Sequence, residues 1–206
     1  GDIDEQKESA QCFAAPLENA VPIMDATALM TVHYLDIQDK VAAHFKKIGV
    51  SQSTRDVFSQ KIAELESTPP SAYFGEDSYS EVTPEQVQNE IASLKKIRDW
   101  IDANCEILRV AAVVDMGGKR KDELDERFGS EFVDSILLAS EPNRFLYSDD
   151  FITRIVARNE FKVKGIWTQL LMMRLLKLEQ MNNAEYAKAS AALVEADYDY
   201  TSVDEH

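Results

Sequence analysis

Short apolar runs alternate with amphipathic helical patterns through about the first 160 residues of the chain. The runs "VPIM" (Val21–Met24) and "RFLYS" (144–148) have the length and composition of buried strands, and a helical pattern begins after each. Strands that alternate with helices favour a parallel sheet covered by helices. The sequence therefore predicts an α/β fold with a mainly parallel central sheet and a helical C-terminal part.

The helical patterns divide the rest of the chain. Apolar spacing predicts helices over 26–34, 37–47, 54–66, 87–101, 120–128, 130–140 and 151–158, with strand candidates at "KIGVSQS" and "CEILRVAAVV". Two helix starts carry capping signals, at Ser53 to Asp56 and at Thr83 to Gln86. Residues 67–82 are rich in Pro, Gly and small polar residues, which is typical of a loop or hairpin. The stretches "GIWTQLLMMRLLKLEQ" and "NAEYAKASAALVEA" are predicted to be two further helices.

These patterns predict four parts. A flexible N-terminal segment covers 1–17, an α/β domain covers 18–165, a helical extension packed on that domain covers 166–197, and an acidic tail covers 198–206. The leading Gly suggests that the chain is excised from a longer protein.

Composition excludes several classes of protein. A hydrophobic content of 45% over 206 residues is enough for a packed core, and the sequence has no apolar run long enough to cross a membrane. Cys12 and Cys105 lie far apart with no zinc-binding pattern, so we expect an intracellular, cytoplasmic protein with reduced thiols. A net charge of −15 argues against binding nucleic acid by charge attraction alone, although Lys119 to Lys121 and the bases from Arg154 to Lys164 form local basic clusters.

Aspartates stand where predicted strands end. Asp25 follows the first strand, and Asp149 and Asp150 follow "RFLYS". Ligands of open parallel sheets bind beyond the carboxyl ends of the strands, where these side chains would converge. Carboxylates that converge repel each other unless a cation or a proton lies between them, and oxygen ligands suit Mg²⁺ or Mn²⁺.

Asp134 is a further candidate on different grounds. It lies in "SEFVDSILLAS", a helical pattern that is apolar around most of its surface. Burying an unpaired carboxylate costs several kcal/mol, so Asp134 requires a cation, an arginine or solvent beside it.

Each aspartate also has a purely structural interpretation. Asp25 and Asp149 would cap the helices that follow them, a role worth about 1 kcal/mol. The capping signal at Ser53 already explains Asp56, and Asp134 would form an ion pair with Arg127 or Arg154. Thr168 would place a hydroxyl near the crevice, although a simple helix start explains it equally well, and no nucleophile elbow or P-loop is present.

The order of these acids resembles that of the PIN-domain nucleases. "PIMDATAL" resembles the first strand of that family with its aspartate, and "FVDSILLASEPNRFLYSDD" resembles the helix with the third acid and the fourth strand ending in Ser/Thr-x-Asp. The C-terminal helices resemble those of a divergent PIN branch at the end of bacterial proteins with tetratricopeptide repeats.

The resemblance implies a three-layer α/β/α fold and a Mg²⁺- or Mn²⁺-dependent nuclease that cuts RNA or another single-stranded nucleic acid. Asp25, Asp134 and Asp150 would be the catalytic and metal-binding acids, with Ser148 in the Ser/Thr position and Thr27 and Thr168 in support. Asp149 is a further metal-ligand candidate, and Asp56 stands where the family usually has a glutamate. The resemblance also implies a fusion or partner protein and allows a homodimer. The alternative is an inactive PIN-like binding or regulatory module, which the net charge and the missing glutamate favour.

Overall fold

The computed structural model describes residues 20–67, 72–74, 79–81, 83–110 and 118–196 of the chain. The predicted N-terminal segment (1–17) and the acidic tail (198–206) lie outside the described residues. Most of the loop predicted over 67–82 also lies outside them, apart from two short strands.

The strands form one parallel sheet and one separate hairpin. In chain order they are β1 (Val21–Met24), β2 (Gly49–Ser51), β3 (Ala72–Phe74), β4 (Tyr79–Glu81), β5 (Glu106–Leu108), β6 (Arg144–Tyr147) and β7 (Gly165–Ile166). The central sheet has the order β5-β2-β1-β6-β7, and all its neighbouring strands are parallel. Strands β3 and β4 pair antiparallel.

Helices follow the strands as the sequence predicts. They are α1 (Ala26–Tyr34), α2 (Gln38–His44), α3 (Gln52–Ser67), α4 (Pro84–Asn104), α5 (Gly118–Phe128), α6 (Ser130–Ala139), α7 (Phe151–Phe161), α8 (Thr168–Lys177) and α9 (Asn183–Glu195).

The two faces of the sheet bury different helices. Ile23 and Leu146 pack with side chains of α6 and α7, whereas Met24 and Tyr147, one residue further along each strand, pack with α1, α4, α8 and α9. Successive residues of a strand point to opposite faces, so apolar residues at both positions are what a sheet buried on both sides requires. The predicted three-layer α/β/α fold is confirmed.

The two predicted capping boxes have different outcomes. The Thr83 box is present: the Thr83 hydroxyl accepts from the Gln86 N–H at 3.2 Å, and the Gln86 side chain accepts from the Thr83 N–H at 2.8 Å. The box predicted at Ser53 is wrong, because α3 begins at Gln52, two residues before the predicted start of the helix at residue 54. Ser51 provides the cap instead, accepting from the Thr54 N–H at 3.0 Å, which leaves the Ser53 hydroxyl free for another role.

Strand β7 is a second correction. Gly165 and Ile166 form a strand and not the beginning of the helix that the sequence predicts. The backbone N–H groups of Leu146 and Ser148 donate to the carbonyls of Lys164 and Ile166, at 2.9 and 3.0 Å. Two residues are too few for a period to show in the sequence, so pairing with β6 alone defines this strand.

The C-terminal helices share the main core of the domain. Leu171, Met172 and Leu175 of α8 are fully buried, and they belong to the same cluster as Met24 of β1 and Leu29 of α1. The boundary between an α/β domain at 18–165 and an extension at 166–197 stays a prediction. Of the described helices, none combines the length and the apolar character needed to span a membrane.

Truncation of a buried α8 side chain tests whether this shared core stabilises the whole domain. We expect Leu171→Ala to lower the free energy of unfolding by about 2–5 kcal/mol, because it removes buried methyl groups and leaves a cavity. Met173 of the same helix is 45% exposed, so Met173→Ala should change it by no more than about 0.5 kcal/mol. Urea unfolding of both variants gives the comparison. Equal effects would contradict a shared core.

Candidate functional site

The carboxyl ends of β1, β2 and β6 meet at one edge of the sheet, because the three strands are parallel neighbours. Asp25 follows β1 directly, and its N–H donates to the Tyr147 carbonyl at the end of β6, at 3.1 Å. Ser148 follows β6 in the same way. The strand order thus brings the turn after β1 and the turn after β6 together at this edge, as the sequence predicts for Asp25 and the Asp pair.

Asp25 is the most deeply buried acid at this edge. Its side chain has no exposed surface, and Oδ1 accepts from the Ala28 N–H at 2.9 Å and from the Thr27 hydroxyl at 2.8 Å. The bond to Ala28 makes Asp25 the N-cap of α1. Oδ2 is buried and has no hydrogen-bond partner among the described residues. An unpaired buried carboxylate oxygen leaves an electrostatic demand that a cation would meet.

Burial raises the pKa of Asp25 to about 6. The Ala28 N–H and the neighbouring Ser148 and Thr27 hydroxyls oppose this rise, and the nearby charge of Asp149 adds to it. The carboxyl is therefore mainly ionised at neutral pH, although its side chain has no exposed surface. Desolvation, and not the neighbouring acid, is the larger cause of the raised pKa.

Thr27 connects the two turns. Its hydroxyl donates to Asp25 Oδ1 and accepts from the backbone N–H groups of Asp149 and Asp150, at 3.0 and 3.1 Å. One side chain therefore fixes the spacing between the acid after β1 and the acids after β6. The sequence named Thr27 as a supporting residue, and the structure brings it into contact with all three acids.

Asp149 is bound to the start of α8. Its Oδ1 accepts from the Thr168 N–H at 2.7 Å, and its Oδ2 accepts from the Thr168 hydroxyl at 2.5 Å. The Tyr147 hydroxyl lies 3.0 Å from the same Thr168 oxygen. Asp149 thus satisfies a helix N-terminus, but that of α8 and not that of the helix following it in sequence.

Asp150 caps that following helix. Its carboxylate accepts from the N–H groups of Ile152 and Thr153, at 3.1 and 3.0 Å, and also from the Thr153 hydroxyl. Ser148, in the Ser/Thr position, accepts from the Asp150 N–H at 3.2 Å and so holds the turn. A carboxylate has about four lone-pair sites, so capping leaves Asp150 able to accept a further ligand.

Asp134 is placed by α6 beside the N-terminus of α3. Its Oδ2 accepts from the Ser53 hydroxyl at 2.7 Å, and its Oδ1 lies 3.1 Å from the Lys121 ammonium. An ion pair is therefore present at Asp134, but its cation is Lys121, whereas the sequence suggested Arg127 or Arg154. Of the arginines that the sequence suggested, Arg127 lies over the Phe128 ring and Arg154 donates to the Ser148 carbonyl at 2.8 Å.

Asp56 is the most exposed of the candidates. Its side chain is 45% exposed, and its Oδ1 accepts from the Gln52 amide one helical turn earlier at 2.8 Å. Arg55 lies 3.9 Å from the same oxygen. These contacts explain Asp56 locally as part of α3.

The candidate residues form two groups. The first joins Asp25, Asp149 and Asp150 through Thr27, Ser148 and Thr168, and the second joins Asp134 to Ser53 and Lys121. In the part of the chain that the structure describes, no three His, Cys, Asp or Glu side chains converge closely enough to hold a metal ion.

Two residues of the site were not among the sequence candidates. The sequence shows Lys121 only as part of a local basic cluster, and Ser53 only as a predicted helix cap. The spacing of Lys121 and Asp125, one helical turn apart, indicated an ion pair on α5 but not its contact with Asp134.

The residues of the other basic cluster lie at opposite ends of the parallel strands. Arg154 is buried near the acids and lies over the Trp167 ring at 4.8 Å. Lys162, Lys164 and Arg144 line a cavity of about 260 Å³ at the amino ends of β6 and β7.

The first group fits a divalent cation held by few protein ligands. Asp25 offers the unpaired buried Oδ2, and the charge of Asp149 lies close enough to raise the pKa of Asp25. Mg²⁺ commonly binds through one or two carboxylates and fills its remaining positions with water and substrate phosphate, so a group of three acids is not required.

Comparison with protein families gives one description for this architecture. A model of the PIN domain associated with the TPR-GreAB-C-PIN system matches residues 23–159, which begin within β1 and include β6 and every candidate acid. Comparisons with curated proteins and with solved structures gave no significant match.

Replacing Asp25 by Asn should change how stability depends on pH. A folded-state pKa of about 6 against 3.8 means that the folded protein binds the proton more tightly, so wild-type stability from this group is full below pH 3.8 and lost as pH rises through 6. The loss is about 3 kcal/mol. Asn keeps the helix cap without the charge. We therefore expect the free energy of unfolding of Asp25→Asn to rise relative to that of wild type between pH 4 and pH 7, by up to that amount.

Urea unfolding at pH 4, 5.5 and 7.5 measures this difference. Asp36→Asn is the matched control, because Asp36 is 79% exposed and has a φ of 56°, which Asn tolerates. A difference between Asp25→Asn and wild type that is the same at all three pH values would contradict the buried, ionised Asp25.

Proposed function

We propose that the chain, which belongs to the family of PIN domains associated with the TPR-GreAB-C-PIN system, is a metal-dependent nuclease that hydrolyses phosphodiester bonds of RNA. PIN domains are generally nucleases, and this chain has the parallel sheet and the acids at its carboxyl edge.

The single observation that carries the proposal is the Asp25 carboxylate. It is fully buried, it has one unpaired oxygen, and it lies near the charge of Asp149. A purely structural N-cap would gain from exposure or from complete hydrogen bonding. A carboxylate that is kept ionised and incompletely paired is typical of a functional site.

Asp25 would hold Mg²⁺ or Mn²⁺ together with Asp149 or Asp150, with Asp134 as a further acid at the same edge. The bound cation would supply a lowered pKa for an attacking water and would neutralise charge that develops on the phosphate. Thr27 and Ser148 act on the protein side, since their hydroxyl groups hold the turns that carry the acids. Thr168 orients Asp149 through both carboxylate oxygens.

RNA would be bound mainly by a surface other than the one that carries the acids. The net charge of −15 repels a polyanion at long range, so the chain needs a partner or a fused segment to bring the substrate to it. The family description names TPR and GreAB-C components, which are the natural candidates for that partner.

A second function has its own supporting observation. Lys121 already neutralises Asp134, and the described acids do not form a group of three. Both features fit a PIN-like module that keeps the scaffold and serves in binding or regulation.

Metal binding and cleavage separate the two functions. We expect Mn²⁺ titrated into the full chain by calorimetry to bind wild type and Asp36→Asn alike, and to bind Asp25→Asn at least about 100-fold more weakly. Thr27→Val keeps the shape but removes the hydroxyl, and it should lose about 10–100-fold in affinity, the usual cost of removing a group that orients a ligand.

The same four proteins are then incubated with a 5′-labelled single-stranded RNA in Mg²⁺, in Mn²⁺ and in EDTA. Cleavage by wild type and Asp36→Asn that EDTA and Asp25→Asn both abolish would support the nuclease. Metal binding without cleavage would favour a module that uses the cation structurally. The absence of Asp25-dependent metal binding would overturn the proposal.

A further inference from the structure

Lys121 lies between two carboxylates that come from different helices. Its ammonium is 2.6 Å from Asp125 Oδ2, one turn further along α5, and 3.1 Å from Asp134 Oδ1 on α6. Helices α5 and α6 are separated by Gly129 alone, which has a φ of 92°. The sharp turn at that glycine folds α5 back against α6 and brings Lys121 to Asp134.

This contact is shielded from solvent, unlike the other lysine pairs of the described chain. The side chains of Lys121, Asp125 and Asp134 are 14%, 25% and 17% exposed, whereas the Lys61–Glu64 pair is 45% and 62% exposed. A shielded ion pair is screened little by salt, and removing one partner leaves an uncompensated charge. The Lys121 ammonium is therefore held at Asp134 more firmly than a surface lysine would be.

Both oxygens of Asp134 are engaged in this arrangement. Ser53 donates to Oδ2, and Lys121 pairs with Oδ1. Asp25 Oδ2 and Asp134 Oδ1 both lack a hydrogen-bond donor among the described residues. The Lys121 ammonium, 3.1 Å from Asp134 Oδ1, compensates the charge of Asp134 as an ion pair.

We propose that Lys121 is the resident cation of Asp134, so that a divalent metal binds at the Asp25 group but not at Asp134. Only the binding of a metal at Asp25 rests on the proposed function; the role of Lys121 at Asp134 does not. Sites that process phosphodiesters often use two cations, one on each side of the phosphate. Here the second cation position is filled by an ammonium, and its charge does not depend on the metal supply.

The experiment measures how many Mn²⁺ ions bind to the full chain. Calorimetry gives the stoichiometry, and the decrease in the electron paramagnetic resonance signal of free Mn²⁺ gives a second count. Lys121→Met removes the ammonium and exposes Asp134 and Asp125 to solution cations. We expect this variant to bind one Mn²⁺ more than wild type, at least tenfold more tightly than any binding that Asp134 supports in wild type. The double variant Lys121→Met/Asp134→Asn should lose that additional ion.

Three further variants make the result specific. Lys61→Met removes the same charge from an exposed pair, so it should bind as wild type does. Lys121→Arg keeps a cation at Asp134 and should also bind as wild type does. Lys121→Gln keeps hydrogen bonding without charge and should gain the additional ion, which covers the case in which the Met variant fails to fold by circular dichroism.

The outcomes separate the inference from the proposed function. An unchanged count in folded Lys121→Met or Lys121→Gln overturns the inference, and so does a wild-type ion that Asp134→Asn removes. Loss of the wild-type ion in Asp25→Asn concerns only the proposed function. The additional Mn²⁺ ion that binds when Lys121 is replaced is counted whether or not wild type binds an ion at Asp25.

Discussion

Burial of the Asp25 carboxylate is the constraint on which the acidic edge of this protein depends. A charge with no exposed surface is costly, and the chain offsets part of that cost with the Ala28 N–H and the Thr27 hydroxyl, which both donate to Asp25 Oδ1. The same Thr27 hydroxyl accepts from two N–H groups after β6, so the arrangement that stabilises Asp25 also fixes the neighbouring turn. The geometry of all three acids at this edge therefore follows from how one of them is buried.

Capping and site roles are not alternatives for these acids. Asp25 and Asp150 cap α1 and α7, and Asp149 binds the N-terminus of α8. A helix N-terminus carries a partial positive charge, so three N-termini directed at one edge lower the cost of placing three carboxylates there. Capping thus orients the acids, which is also what a cation site requires.

The sequence predicts the sheet and helices because their signals are local. The buried strand at Val21–Met24, the helix after it and the Thr83 capping box each depend on a few consecutive residues, and the structure has all of them. Strand β7 escapes the sequence because only its pairing with β6 defines it.

The missed site residues depend on tertiary contacts. Ser53 reaches Asp134 across 81 residues, a contact that no spacing in the sequence reports. Lys121 pairs with Asp134 through the positive φ of Gly129, and a sequence shows only that a glycine stands between two helices. The convergence of Asp25, Asp149 and Asp150 was thus predictable from their places after strands, whereas the groups that contact Asp134 were not.

The C-terminal helices are part of how the acidic edge is held, although they lie beyond the residues that the family model matches. Thr168, the first residue of α8, binds both oxygens of Asp149, and Arg154 packs against Trp167 just before that helix. Leu171 and Met172, one turn further along α8, are buried in the same core as β1. Any shift of α8 would therefore move Asp149 relative to Asp25 and change the electrostatic repulsion between the two carboxylates. Thr168 therefore couples the position of α8 to that of Asp149.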